Sequence, residues 1–210
     1  MIGIIGQKIG MTQVFDETGR VTPVTVLKIA PNVVVSRKDK ETFGYEAVVF
    51  GFFDIKKKNL TKPYAGQFPE GVTPTRILRE SKNFQGEVEV GKSVGVEYFQ
   101  DVRFVDVSAN TKGKGFQGVV KRWGFGGGRS THGSKFHREP GSTGQRTYPH
   151  KTFKNVKLPG RMGNEKVTIL NLKVVRVDAE NGILLIRGAV PGPRNCAVVV
   201  RPAVKKMKRG

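Results

Sequence analysis

His132, His137 and His150 are the only histidines of this chain and stand close together in it. A structural zinc site needs four ligands within short reach, and this neighbourhood offers no cysteine pair and a single acid, Glu139. Imidazoles in such company read as groups that stack on a nucleobase or hydrogen-bond to phosphate, and neither a metal nor a cofactor is expected. A second set, Gly113-Lys114-Gly115-Phe116-Gln117-Gly118, satisfies the glycine pattern of dinucleotide sites and has Glu139 at about the expected offset. That chemistry requires a helix and a second parallel strand before the acid. Here Gly124, Gly126, Gly127, Gly128 and Gly133 fill the interval, so the match is rejected. Cys196, the one cysteine, excludes an intrachain disulfide and reads as a small buried residue of the apolar run Asn195 to Val200. No zinc-protease, nucleophile-elbow or Walker pattern occurs. General acid-base catalysis needs carboxylates or histidines held in a pocket, and no acid pair accompanies these histidines, so the chain is not expected to be an enzyme.

What remains is binding chemistry, concentrated in 111–163. This stretch holds Lys112, Lys114, Lys121, Arg122, Arg129, Lys135, Arg138, Arg146, Lys151, Lys154, Lys157 and Arg161 against the one acid Glu139, together with twelve glycines. Its apolar residues keep neither the helical nor the strand period for long. A segment so charged and so poor in apolar surface is expected to be mobile alone in water. A cationic backbone of this kind threads between phosphates, and charge neutralisation supplies the affinity. Trp123 and Tyr148 are read as platforms for unpaired bases, whereas Phe116 and the Val119-Val120 pair suit local packing. The glycines are taken to bring the backbone close to the polynucleotide.

The whole chain agrees with this reading. Its 210 residues carry a net charge of +20, which repels itself unless a polyanion neutralises it. Nucleic acid is the leading partner and an anionic membrane the second. Against the membrane stand the lack of any apolar run of spanning length, of a basic amphipathic helix and of a signal-peptide pattern. A soluble, cytoplasmic protein is expected. The absence of a recognition helix or zinc finger weakens sequence-specific duplex readout without deciding RNA against DNA.

The elements that position this segment are strands. Val14-Phe15 and Val21 to Ile29 flank a turn at Gly19, and Val33 to Arg37 pairs in pattern with Tyr45 to Phe52. Phe99 to Ser108 leads into the basic segment. After it come Val167 to Val177, Ile183 to Arg187 and Ala197 to Arg201, the first two joined through Asn181-Gly182, a strong hairpin signal. Short strands on both sides of one insert predict a mainly β fold with a closed barrel. The expected organisation is a discontinuous barrel domain (1–57, 97–110 and 164–204), a small α+β subdomain (58–96), the basic non-globular extension (111–163) and a basic tail (205–210).

The residues also resemble a known family. Gly3 to Asp16 (GIIGQKIGMTQVFD), Lys112 to Trp123 (KGKGFQGVVKRW), Thr131 to Gln145 (THGSKFHREPGSTGQ) and Met162 to Asp178 (MGNEKVTILNLKVVRVD) are similar, in order and spacing, to the bacterial form of large-subunit ribosomal protein three. Ile183 to Val190 followed by Pro191-Gly192 resembles the closing segment of that family, so the likeness spans nearly the whole chain. It departs at Lys151 to Arg161, where KTFKNVKLPGR replaces a more basic and glycine-rich run.

The resemblance implies a translation-protein-type barrel at the surface of the large subunit, with an extension reaching through 23S ribosomal RNA toward the peptidyl transferase centre. It implies early binding near the 3′ end of that RNA, nucleation of 50S assembly, and large-subunit proteins fourteen and nineteen as neighbours, with RNA rather than DNA as ligand. The RNA-binding candidates are Lys112, Lys114, Lys121, Arg122, Trp123, Arg129, His132, Lys135, His137, Arg138, Gln145, Arg146, Tyr148, Lys151, Lys154 and Arg161. Gln145 also matches a glutamine that is N5-methylated in some bacteria, which adds a glutamine methyltransferase as a partner. The competing reading is a β-barrel enzyme that processes nucleic acid and uses the basic loop as a substrate clamp.

Overall fold

The computed structural model describes residues 3–82 and 88–206, so Met1-Ile2 and the end of the basic tail (207–210) lie outside the described residues. The chain divides into two compact units, one made of the residues before Thr111 and after Glu165, the other Thr111–Glu165. The extension thus ends after Glu165 rather than after Gly163.

Among the described residues twelve strands carry the fold: β1 Ile4–Phe15, β2 Val21–Lys28, β3 Asn32–Lys38, β4 Ala47–Asp54, β5 Thr75–Lys82, β6 Ser93–Val94, β7 Phe104–Asn110, β8 Phe116–Gln117, β9 Gly160–Arg161, β10 Lys166–Asp178, β11 Ile183–Arg187 and β12 Ala197–Pro202. The fold is mainly β, as expected. Six strands close into an antiparallel barrel in the order β1-β12-β7-β10-β11-β2, with β2 returning to β1. Closure leaves no unpaired strand edge in the ring. Alternate residues point inward, and Ile4, Leu27, Val105, Val107, Leu184, Ile186, Val198 and Val200 form the barrel core. Each such side chain contributes on the order of 1.5–3 kcal/mol by leaving water. Only Ile4 to Gln7 of β1 pair with β12, whereas β1 continues against β2 as far as Phe15. Beyond Thr12 and Val24 the hairpin is two-stranded, and Phe15 and Val21 are exposed there.

Strands β3 and β4, expected in the barrel, lie instead in a second sheet of order β5-β4-β3-β6. Their runs VVV and AVVFGFF are apolar on both faces. One set of side chains, Val34, Val48, Phe50 and Phe52, packs with Ile5 of the barrel strand β1 in a second core. A barrel strand open to solvent on its outer face does not need that doubling. Short helices, α1 Lys40–Phe43 and α2 Lys62–Ala65, fill the connections, and α2 begins with Pro63 in its first turn, where a missing N–H does no harm.

Buried polar groups tie the layers together. Asn32, fully buried, accepts the Ile5 N–H on Oδ1 at 3.0 Å and donates Nδ2 to the Ile5 carbonyl at 2.9 Å. Its amide thus takes the place of a neighbouring strand. Asp106, 1% exposed, accepts the Asn171 N–H at 2.9 Å and pairs with Arg201 across the β7–β12 ladder at 3.4 Å. Asn171 has φ of 57° at an irregularity in β10 between Ile169 and Leu172. The Asp106 carboxylate fixes that bulge by binding the amide the ladder leaves over. On the second sheet, Lys38 donates to Glu80 at 2.9 Å and to Tyr45 at 3.1 Å. These hydrogen bonds hold the Glu80 carboxyl below, and the Lys38 ammonium above, their ordinary values.

Candidate nucleic-acid interface

Strands β7 and β10 end side by side, with Asn110 opposite Lys166. The second unit is therefore a long insertion in what would otherwise be a hairpin. At its base the two limbs pair: Thr111 N–H donates to the Glu165 carbonyl at 2.9 Å, Lys114 N–H to Met162 at 2.9 Å, and Met162 N–H to Gly115 at 2.9 Å. The ribbon ends with β8 against β9, Phe116 opposite Arg161. A helical turn, α3 Val119–Trp123, follows and is closed by Gly124 in the left-handed conformation. Val119 is buried, as local packing required, but Phe116 is 76% exposed. Phe116 is therefore no packing anchor and joins the exposed aromatics.

Two candidates prove to brace this unit. The Arg122 guanidinium donates to the Leu158 carbonyl at 2.8 Å, and the Trp123 indole N–H donates to the same oxygen at 2.9 Å. Arg122 also lies 4.9 Å from the Trp123 ring centroid, with the Lys157 ammonium 6.0 Å from it. One carbonyl on the returning limb thus anchors the helix through two donors. Sequence reading assigned both side chains to RNA and had no means of seeing Leu158, because a backbone acceptor leaves no residue-type signal.

Glycines also shape the unit. Gly128 N–H donates to the His137 carbonyl at 2.9 Å, and a Cβ at Gly127 or Gly128 would collide with the carbonyls of His137 and Phe136. A Cβ at Gly163, whose φ is 74°, would strike the Lys112 carbonyl. At these crossings glycine lets the chain approach itself. Paired limbs, a helical turn and a backbone crossing give the segment a defined course.

Most candidate cations remain at the surface. Lys112, Lys114, Lys121, Arg129, Lys135 and Arg138 are exposed, as are Arg146, Lys151, Lys154 and Arg161; Arg122 alone is half-buried. Among the described residues no ion pair involves a cation of this unit. Uncompensated cations along a slender ribbon fit a phosphate backbone, whose oxygens supply both the charge and the acceptors. Tyr148 is 87% exposed, as a stacking platform must be. His132 lies at the surface with φ of 59°. His137 and His150 each place Nδ1 on a carbonyl, of Arg129 at 2.9 Å and of Arg146 at 3.2 Å. A carbonyl only accepts, so Nδ1 carries the proton, leaving Nε2 of each exposed ring for an outside partner. Gln145 is exposed, next to the turn in which Ser142 donates to the Gly144 carbonyl at 2.9 Å. Among the described residues there is no cluster of acids, histidines and cysteine able to hold a metal, and no helix long and apolar enough to cross a membrane.

Comparison with known proteins gives this geometry a setting. Residues 80–209, which include the whole basic unit, match the family described as ribosomal protein L3. The large ribosomal subunit protein uL3 of Treponema denticola is 54% identical over 208 residues, spanning 99% of this chain and 100% of its own length. That of Treponema pallidum is 58% identical over 206 residues, 98% and 99% of the two chains. That of Geobacillus kaustophilus is 50% identical over 209 residues, 99% and 98%. These relatives are ribosomal proteins and not enzymes, and likeness at this level runs through barrel and extension together. The chain belongs to the ribosomal protein L3 family.

Proposed function

We propose that this protein is a structural constituent of the large ribosomal subunit that binds 23S ribosomal RNA near its 3′ end, starts 50S assembly, and directs Thr111–Glu165 toward the peptidyl transferase centre. The observation that carries the reading is the set of exposed, unpaired cations on a ribbon braced by its own backbone. Its relatives are named as large-subunit proteins, and the basic unit lies within the matched family region.

The roles divide within the ribbon. Lys112, Lys114, Lys121, Arg129, Lys135, Arg138, Arg146, Lys151, Lys154 and Arg161 neutralise phosphates, and Tyr148 with His132, His137 and His150 stacks on or bonds to unpaired nucleotides. Arg122 and Trp123 act through the Leu158 carbonyl, holding the limbs at the spacing the RNA meets. Gln145 lies at the far turn, where it takes an N5-methyl group from a glutamine methyltransferase. Large-subunit proteins fourteen and nineteen are its protein neighbours.

Sedimentation of cell lysate at moderate salt tests the assignment. The protein is expected to travel with large subunits, and accumulation of a free pool at the top of the gradient contradicts it. Intact-mass measurement of protein taken from those subunits decides the modification: a gain of one methyl group on the peptide containing Gln145 supports it, and an unmodified peptide removes it.

A further inference from the structure

The barrel unit carries a pocket of about 620 Å³ beside the start of β7. Its floor is apolar, from Val102, Pro202 and Ala203, and two aromatic side chains, Tyr98 and Phe104, complete the wall. Its rim carries Arg103 and Lys206, both exposed, and the exposed acid Asp101. The frame is fixed by backbone hydrogen bonds: Val102 N–H to the Phe99 carbonyl at 3.1 Å, Ala203 N–H to Phe104 at 2.9 Å, and Lys206 N–H to Ala203 at 3.1 Å. Burial raises the Tyr98 phenol above its ordinary value, so it stays neutral at physiological pH. The Lys206 ammonium stands 5.6 Å from the Phe104 ring centroid, which puts an aromatic face and a cation within the span of one nucleotide.

We propose that this pocket takes a single unstacked nucleotide of an RNA strand, with its base on the aromatic and aliphatic wall and its phosphate at Arg103 and Lys206. The inference rests on the RNA-binding reading above and adds a second, separate point of attachment. The volume falls in the range of small-ligand pockets. Apolar walls with aromatic rings receive the face of any base, and two cations against one acid leave room for one phosphate charge. Asp101, an acceptor only when ionised, suits a base that carries an exocyclic amino group. A neighbouring depression of about 540 Å³ shares Asp101, Val102 and Arg103 and continues along Val174 to Val177 with Arg176 at its side. A second depression on the shared residues, with a further cation beside it, fits a polymer better than a free mononucleotide.

Ultraviolet crosslinking of the full-length protein to large-subunit RNA, followed by digestion and mass spectrometry, tests the site. A nucleotide adduct is expected on Tyr98 or Phe104, alongside one on Tyr148 in the ribbon. In the double variant Arg103→Gln, Lys206→Gln the pocket adduct is expected to fall by about tenfold while the Tyr148 adduct stays within about twofold. Both substitutions are at exposed positions, and an unchanged thermal melt confirms that the barrel is intact. An adduct on Tyr148 with none on Tyr98 or Phe104, or a pocket adduct that survives in the variant, overturns the pocket and leaves the ribbon reading standing. Absence of adducts at both places overturns the two together.

Discussion

The barrel unit and the basic ribbon obtain their shapes by opposite means. In the barrel unit, shape follows from burial: Leu27 and Ile186 are all but inaccessible to water inside the closed strand ladder, and Phe50 is as deeply buried in the second core against Ile5. In the ribbon little is buried except Val119, and the course of the chain is set by backbone pairs, one shared carbonyl and glycine crossings. A unit shaped without a core is free to cover its surface with charge. The comparison teaches that glycine and cation enrichment here encode two different things, a self-braced path and a surface of unpaired positive charge.

Removing side chains from each region sharpens that contrast. Phe50→Ala, in the core between the second sheet and β1, is expected to lower the stability of the barrel unit by about 3–5 kcal/mol, the range for truncating a buried aromatic. Tyr148→Ala, at a position 87% exposed, is expected to change stability by less than about 0.5 kcal/mol while weakening RNA binding. Chemical denaturation of both variants checks the pair, and equal losses would erase the distinction.

A middle-sized effect comes from filling a crossing. Gly128→Val places a side chain against the Phe136 carbonyl and forces the ribbon apart. The barrel melt is expected to stay unchanged, while affinity for large-subunit RNA falls by about tenfold because the path must be re-formed on binding. Filter binding beside a thermal melt reads both quantities, and a lowered melt with unchanged affinity reverses the assignment.

The smallest expected effect lies on the second sheet. Glu80 is held below its ordinary value first by the Lys38 hydrogen bond and then by Tyr45. Its contribution is therefore complete above the unfolded glutamate value of about 4.3 and disappears as pH falls through the depressed folded value. Lys38 is raised, so its share is complete below the ordinary lysine value and is lost on passing above the raised one. Glu80→Gln should melt slightly below the parent protein at neutral pH, and the two melts should converge in acid. A gap that widens as the pH drops would contradict the sign.

Strand order was legible wherever strong turn residues met a period-two pattern. The Asn181-Gly182 hairpin between β10 and β11 is an example, with Asp178 accepting from the Asn181 amide at 2.8 Å. The membership of β3 and β4 was not legible, because an apolar strand looks alike in a barrel and in a sheet packed against one. Deciding it takes the long-range partner Ile5 and the buried Asn32 amide. In the ribbon, exposed lysines were readable from composition since nothing competes for them. The bracing by Arg122 and Trp123 was not legible because their partner is the Leu158 backbone, which any residue type would have supplied.

The salt dependence of RNA binding, measured for the full chain and for a variant in which Thr111–Glu165 is replaced by a short turn, tests the central claim most directly. Asn110 and Lys166 are opposite one another in the ladder, so a short turn can join them and the barrel should still melt cooperatively. If about six cations of the ribbon each neutralise one phosphate, the affinity of the full chain for large-subunit RNA falls by about a thousandfold between about 50 and 200 mM salt. The shortened variant is expected to bind weakly and with a much shallower slope. Equal slopes for the two proteins would contradict the account, since the phosphate contacts would then belong to the barrel.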